Sequence, residues 1–271
     1  MIIDFHTHVF PEKIAQKTID LLTEKANGTP STNGTIEGLV EAMKRGNADI
    51  AVTLPVLTKA SQFDSVTKFA IEINERFKNV TDYKLISFGG MHPECEDIEG
   101  KMRYLKENGI KGVKIHPDYQ NTFIDHEGYY RILKSAKDLD MIVVTHSGVD
   151  DGYIGESVKC PPLMVKKVLE RLGGFSKFVL GHYGAHKQWY EVLDLLAGED
   201  VYFDTAFTLH EIDEKLFKKI LTKHGEDKVL FATDCPWRDI KDDVAILKSF
   251  NLPKETEDKL FYKNASKLLG I

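Results

Sequence analysis

Two periods of hydrophobicity alternate along the chain. Short runs of strand character, mostly apolar, recur at residues 1–8, 50–54, 84–91, 112–117, 141–148, 178–184, 201–205 and 229–234. Between them the apolar positions fall at helical spacing. Ile36, Leu39, Val40 and Met43 form one stripe behind a capping Thr35, and Val66, Phe69, Ala70, Ile73 and Phe77 form another. Ile98, Met102 and Leu105 repeat the pattern, and helices are predicted over 129–138, after Pro161-Pro162, over 189–197 and 211–224, and twice more after residue 237. Residues 10–34, opened by Pro11, predict a short helix and a turn-rich loop that can lie over the end of the first strand. Strands that are apolar throughout, such as Met141-Ile142-Val143-Val144, suit a parallel sheet covered on both faces. Eight strand–helix units with short connections and no linker predict a (β/α)₈ barrel over residues 1–271 as a single domain. A doubly wound open sheet is the competing arrangement, but the chain has neither a Gly-x-Gly-x-x-Gly after its first strand nor a Gly-Lys-Ser/Thr loop.

Composition narrows the function. With 42% hydrophobic and 29% charged residues and a net charge of -6, the chain offers no basic stripe for a phosphate backbone. A small molecule is the expected partner, rather than a nucleic acid. No stretch approaches the ~18 apolar residues of a membrane helix, and the start Met1-Ile2-Ile3-Asp4 does not read as a secretory signal, so a cytoplasmic location is expected. Cys95, Cys160 and Cys235 are odd in number and far apart, which indicates neither a disulfide framework nor a cysteine metal site.

The candidate chemistry lies where the strands end. Residues 1–8 close on His6-Thr7-His8, and on an extended strand Asp4, His6 and His8 share a face, so both imidazoles aim one way. Such a pair can hold a divalent cation, with Asp4 expected to accept a ring N–H and fix the tautomer. His92, His116, His146 and His182 stand at or just after the ends of later strands, and Asp234 ends the last. A barrel gathers these ends at one mouth. Lys114 lies one step deeper than His116 on the same strand face, where pairing with Asp4 is the ordinary reading. His116 and Arg238 are candidates for holding a substrate carboxylate or phenolate, since arginine makes bidentate contacts to such groups.

His6-Thr7-His8, Thr145-His146-Ser147-Gly148, Leu180-Gly181-His182 and Ala232-Thr233-Asp234-Cys235-Pro236-Trp237 together resemble the amidohydrolase superfamily, as does the ending Asn264-Ala265-Ser266-Lys267-Leu268-Leu269-Gly270. The likeness covers the whole chain and is nearest the amidohydrolase-related branch that includes aminocarboxymuconate semialdehyde decarboxylase. It implies a TIM barrel in which His6, His8, His146 and Asp234 bind one divalent metal, zinc by preference. It also implies that His182 is a general acid/base beside a metal-activated water, with Asp234 taking part in catalysis. Some superfamily members bridge two metals with a carboxylated lysine, which here would be Lys114. The implied activity is hydrolysis of a small amide, ester or lactone. The alternatives are a zinc-dependent non-oxidative decarboxylase and, further off, a barrel that only binds a ligand. The branch also implies a homodimer.

Overall fold

The first strand, β1 (Ile3–Thr7), is the stave on which the sheet begins and ends. The computed structural model describes residues 1–26 and 28–271. In it β1 pairs in parallel with β2 (Ile50–Thr53), and β2 with β3 (Lys84–Ser87). A second parallel run follows: β4 (Gly89–Gly90), β5 (Gly112–Ile115), β6 (Ile142–Thr145), β7 (Phe178–Leu180), β8 (Tyr202–Asp204) and β9 (Val229–Leu230). β3 and β4 are two halves of the predicted strand 84–91, parted at Phe88, whose N–H reaches across to the Thr53 carbonyl at 3.0 Å. The last stave returns to the first. Phe5 N–H donates to Phe231 O (3.0 Å), Asp234 N–H to His6 O (2.8 Å), and Thr7 bridges to Cys235. The result is a TIM barrel with helices outside it.

Two apolar clusters divide the core. Ile3, Phe5, Val52, Ile86, Val144 and Leu230 fill the barrel, whose base is closed by Ala265, Leu268 and Leu269 of the helix Asn264–Leu269. Alternate strand residues such as Ala51, Leu85, Val113, Val143 and Phe203 pack outward on the helices. Each fully buried aliphatic side chain contributes about 1.5–3 kcal/mol. The helix stripes fall where periodicity puts them: Ile36–Gly46 opens on Thr35, whose side chain accepts the Gly38 N–H at 3.0 Å. No helix among the described residues is long and apolar enough to cross a membrane.

β1 departs from simple alternation. Asp4 pairs with Ala51 but Thr7 with Thr53, so three steps on β1 face two on β2. This bulge reverses the parity of the strand. Ile3 and Phe5 point into the barrel, Asp4 points with Ala51 toward the helices, and His6 regains the inner face. Asp4 therefore does not share a face with His6 and fixes no imidazole. Its carboxylate accepts Thr233 Oγ1–H (2.6 Å), Thr233 N–H (3.0 Å) and His6 N–H (3.3 Å), while burial pushes its pKa up to about 8. The Lys114–Asp4 pairing expected from sequence is likewise absent, because the bulge puts the two residues on opposite faces.

Candidate functional site

The strand ends open on a cavity of about 1090 Å³, lined by His6, His8, Lys114, His116, His146, His182 and Asp234 together with apolar walls. Phe10, Ile14, Leu21 and Leu22 from the segment after β1 form part of those walls, and Phe207 and Trp237 another. Two of the polar residues stand on left-handed backbone, His182 at φ +60° and Asp234 at φ +72°. Such conformations cost about 1–3 kcal/mol in a non-glycine residue and persist where surroundings enforce them.

The hydrogen bonds assign the tautomers. His6 Nδ1–H donates to Asp204 Oδ2 at 2.9 Å, and His8 Nδ1–H to the Leu54 carbonyl at 2.8 Å. Each ring is then left with a lone pair on Nε2, and both lone pairs face Asp234 Oδ1, at 3.4 and 3.0 Å. Three acceptors thus converge with one neighbouring donor, the Lys114 ammonium, 3.0 Å from His6 Nε2. Burial, opposed by Asp204 and Asp234, pulls Lys114 down to about 8. Burial and the Lys114 charge keep His6 below its ordinary pKa and hence neutral. Neutral imidazoles and a carboxylate meeting on their lone pairs are the donor set of a divalent cation, so His6, His8 and Asp234 fit one.

His146 stands in an adjoining trio with His116 and Asp150, the ligand atoms of the three lying within 4.8 Å of one another. Its Nδ1–H donates to His182 Nε2 at 2.9 Å, because His182 Nδ1–H is committed to the Ala206 carbonyl at 2.9 Å. The His146 Nε2 lone pair has no partner among the described residues and lies 3.8 Å from Asp118 and 3.9 Å from Asp150. Burial holds His182 down to about 3, partly offset by Asp234, and keeps His116 and His146 well below the ordinary value, Lys114 and neighbouring rings adding to the effect. His116 is stacked between Tyr119 (4.0 Å) and His146 (4.3 Å). Arg238 lies over the Phe207 ring at 4.3 Å on the cavity wall, with its Nη2 3.6 Å from Glu211.

A family model described as amidohydrolase matches residues 3–271. The chain belongs to the amidohydrolase family. No curated protein sequence matches it. Among solved structures, an uncharacterised TIM-barrel protein of Bordetella bronchiseptica superposes with a TM-score of 0.77 at 15% identity, over 99% of this chain and 98% of that one. A 5-carboxyvanillate decarboxylase of Novosphingobium aromaticivorans, complexed with manganese and a nitrobenzoic acid, gives 0.74 at 15% over 100% and 96%. A protein described as a probable 2-pyrone-4,6-dicarboxylic acid hydrolase of Acinetobacter baumannii, with citric acid bound, gives 0.70 at 16% over 100% and 99%. The protein is accordingly an enzyme of the amidohydrolase family, as its sequence motifs imply.

Within this amidohydrolase barrel the floor joins His6, His8 and Asp234 and leaves His146 turned to Asp118 and Asp150. His92 is not among the cavity-lining residues, and its Nδ1 instead accepts the Glu94 N–H. Sequence reasoning passed over Asp204, Asp150 and His186. For Asp204 the signal was present, since Tyr202-Phe203-Asp204 is an apolar strand ending in a carboxylate at the mouth.

Proposed function

We propose that the enzyme is a metal-dependent, non-oxidative decarboxylase of a small carboxylated aromatic ring. The observation that carries this reading is the cavity wall, where Arg238, lying over the Phe207 ring, and His116 can hold a carboxylate and a neighbouring oxygen of one ring among apolar side chains that keep water out. Loss of CO₂ requires no activated water. It requires a substrate carboxylate and a neighbouring oxygen to be anchored, water to be kept out, and a proton to be delivered to the vacated carbon. The decarboxylases of similar fold support the choice.

In this reading His6, His8 and Asp234 would hold one divalent cation, zinc or manganese, which when bound polarises the substrate oxygens, and the unpartnered His146 Nε2 lone pair, turned to Asp118 and Asp150 here, is the fourth donor that the sequence motifs imply. Arg238 takes the substrate carboxylate in a bidentate contact, and His116 hydrogen-bonds a second oxygen through Nε2–H. Phe10, Leu54 and Phe207 exclude water from the ring. His182 is the proton carrier, its Nε2 accepting the His146 Nδ1–H that it can pass on. Lys114, an amine donor to His6, occupies the place that a two-metal site would give to a bridging group.

The test is a panel of hydroxylated benzoates, lactones and amides offered to the metal-loaded enzyme in D₂O. Release of CO₂ with deuterium at the vacated carbon is expected, and His182→Ala should keep the metal but lose roughly 10²–10⁴ in turnover. Ring opening or amide cleavage without CO₂ would overturn the proposal. That result would favour hydrolysis, the second reading, whose support is the unpartnered His146 Nε2 lone pair, a base beside the cavity.

A further inference from the structure

His186, just after β7, is 3% exposed, yet neither ring nitrogen has a hydrogen-bond partner among the described residues. The ring is wedged edge-on between Trp189 and Phe207, at 5.7 and 5.6 Å, and its backbone N–H is tied to Ser147 O at 2.9 Å. Its Nε2 is aimed between two carboxylates, 3.8 Å from Asp151 Oδ2 and 3.9 Å from Glu211 Oε2. These separations exceed hydrogen bonds. They suit two ligands of one ion, since bonds of about 2.0–2.2 Å on either side of it span up to roughly 4.3 Å. The three ligand atoms lie within 4.8 Å of one another.

We propose that His186, Asp151 and Glu211 form a second divalent-cation site on the rim of the cavity. The remaining carboxylate oxygens face other partners: Asp151 Oδ1 accepts from Lys187 Nζ at 2.6 Å, and Glu211 Oε1 faces Arg238. That division leaves Oδ2 and Oε2 for the cation. One imidazole and two carboxylates suit zinc or manganese rather than a thiol-seeking metal. The site shares no residue with the floor trio or with the trio around His146. Its ligands follow β6, β7 and β8, so a bound ion ties three segments of the mouth together and fixes Glu211, the partner of Arg238. Lys187 competes with it, standing 3.7 Å from Glu211 Oε2.

The proposal does not depend on which reaction the floor performs. Full-length protein stripped with a chelator and dialysed against Mn²⁺ or Zn²⁺ should take up two equivalents. Loss of an outer partner of a metal ligand already weakens binding about 10–100-fold, so His186→Ala and Glu211→Gln should each weaken the second equivalent at least tenfold while the first stays. Glu211 lies at the exposed edge, so Glu211→Gln keeps the test valid if the buried His186 variant misfolds. Lys187→Ala should tighten the second equivalent by removing its competitor. Asp234→Asn should lose the first equivalent alone. If Asp234→Asn changed nothing while the rim variants still lost an equivalent, the floor assignment would fall and the rim site would stand. A single equivalent in the unaltered protein, or a second one indifferent to both rim variants, overturns the proposal.

Discussion

At the scale of single residues, Asp204 organises the floor without facing the substrate. One oxygen accepts the His6 Nδ1–H at 2.9 Å, and the other accepts the backbone N–H of His182 (3.0 Å) and of Ala206 (3.1 Å). It thereby sets the tautomer of one proposed ligand and the position of the proposed proton carrier. Burial alone would raise its carboxyl, but His6 and Lys114 among others hold it below the ordinary range. Asp204→Asn should weaken metal binding about 10–100-fold, the usual cost of losing an orienting carboxylate, with the circular dichroism spectrum unchanged. Metal titration against a fluorescent competitor measures this, and full affinity in the variant would show that His6 needs no orienting partner. The sequence reading gave this role to Asp4, because strict alternation was carried through a strand that contains a bulge. Nothing in Ile3-Asp4-Phe5-His6 marks the extra residue. Its cause is distant in sequence: Thr233 offers Asp4 a hydroxyl and a backbone N–H on the outer face.

At the scale of elements, periodicity was sufficient where one face of a helix or strand is apolar and the other is not. The helix predicted over 211–224 forms as Glu214–His224, starting where Asp213 accepts the N–H groups of Lys215 and Leu216. Its last residue shows how packing sets a titration. His224 stacks on Phe203 of β8 at 3.8 Å, and its Nδ1 accepts the Gly198 N–H. Burial lowers its pKa from 6.5 to about 4. The unfolded chain therefore binds this proton first as pH falls. The stability contribution is complete above about pH 6.5 and is lost progressively down to about pH 4, to the extent of a few kcal/mol. Thermal unfolding followed between pH 7 and 4.5 should show Tm falling across this window. His224→Phe, which keeps the stacking and cannot ionise, should fall less steeply; parallel curves would assign the acid sensitivity to other groups. Strand ends were less legible than helices. The staves β4 and β9 are two residues each, and their continuation into the site is irregular backbone fixed by contacts between strands. The run 141–148 announced His146 as a mouth residue, but only packing against His116 and His182 decides where its lone pair points.

At the scale of the whole molecule, the barrel separates what holds it together from what it does. Leu268 and Leu269 close the base under Ile3 and Leu230, while the imidazoles and carboxylates gather at the opposite, C-terminal end of the strands. A cation binding only the folded chain adds RT ln(1 + [L]/Kd), about 2.7 kcal/mol at a hundredfold excess over Kd. For a chain of this size that is roughly 5–10 °C in Tm. Chelation should therefore lower Tm by about that much, and restoring Mn²⁺ or Zn²⁺ should recover it. Truncating the base by Leu268→Ala should cost about 2–5 kcal/mol. The two effects act at opposite ends through separate contacts, so they should add within about 0.5 kcal/mol. The truncated protein should show the same chelator-induced drop, measured by calorimetry with and without metal. A drop that vanished in Leu268→Ala would mean that the base and the mouth are coupled through the staves, and that the metal stabilises the barrel as a whole rather than the ends of its strands.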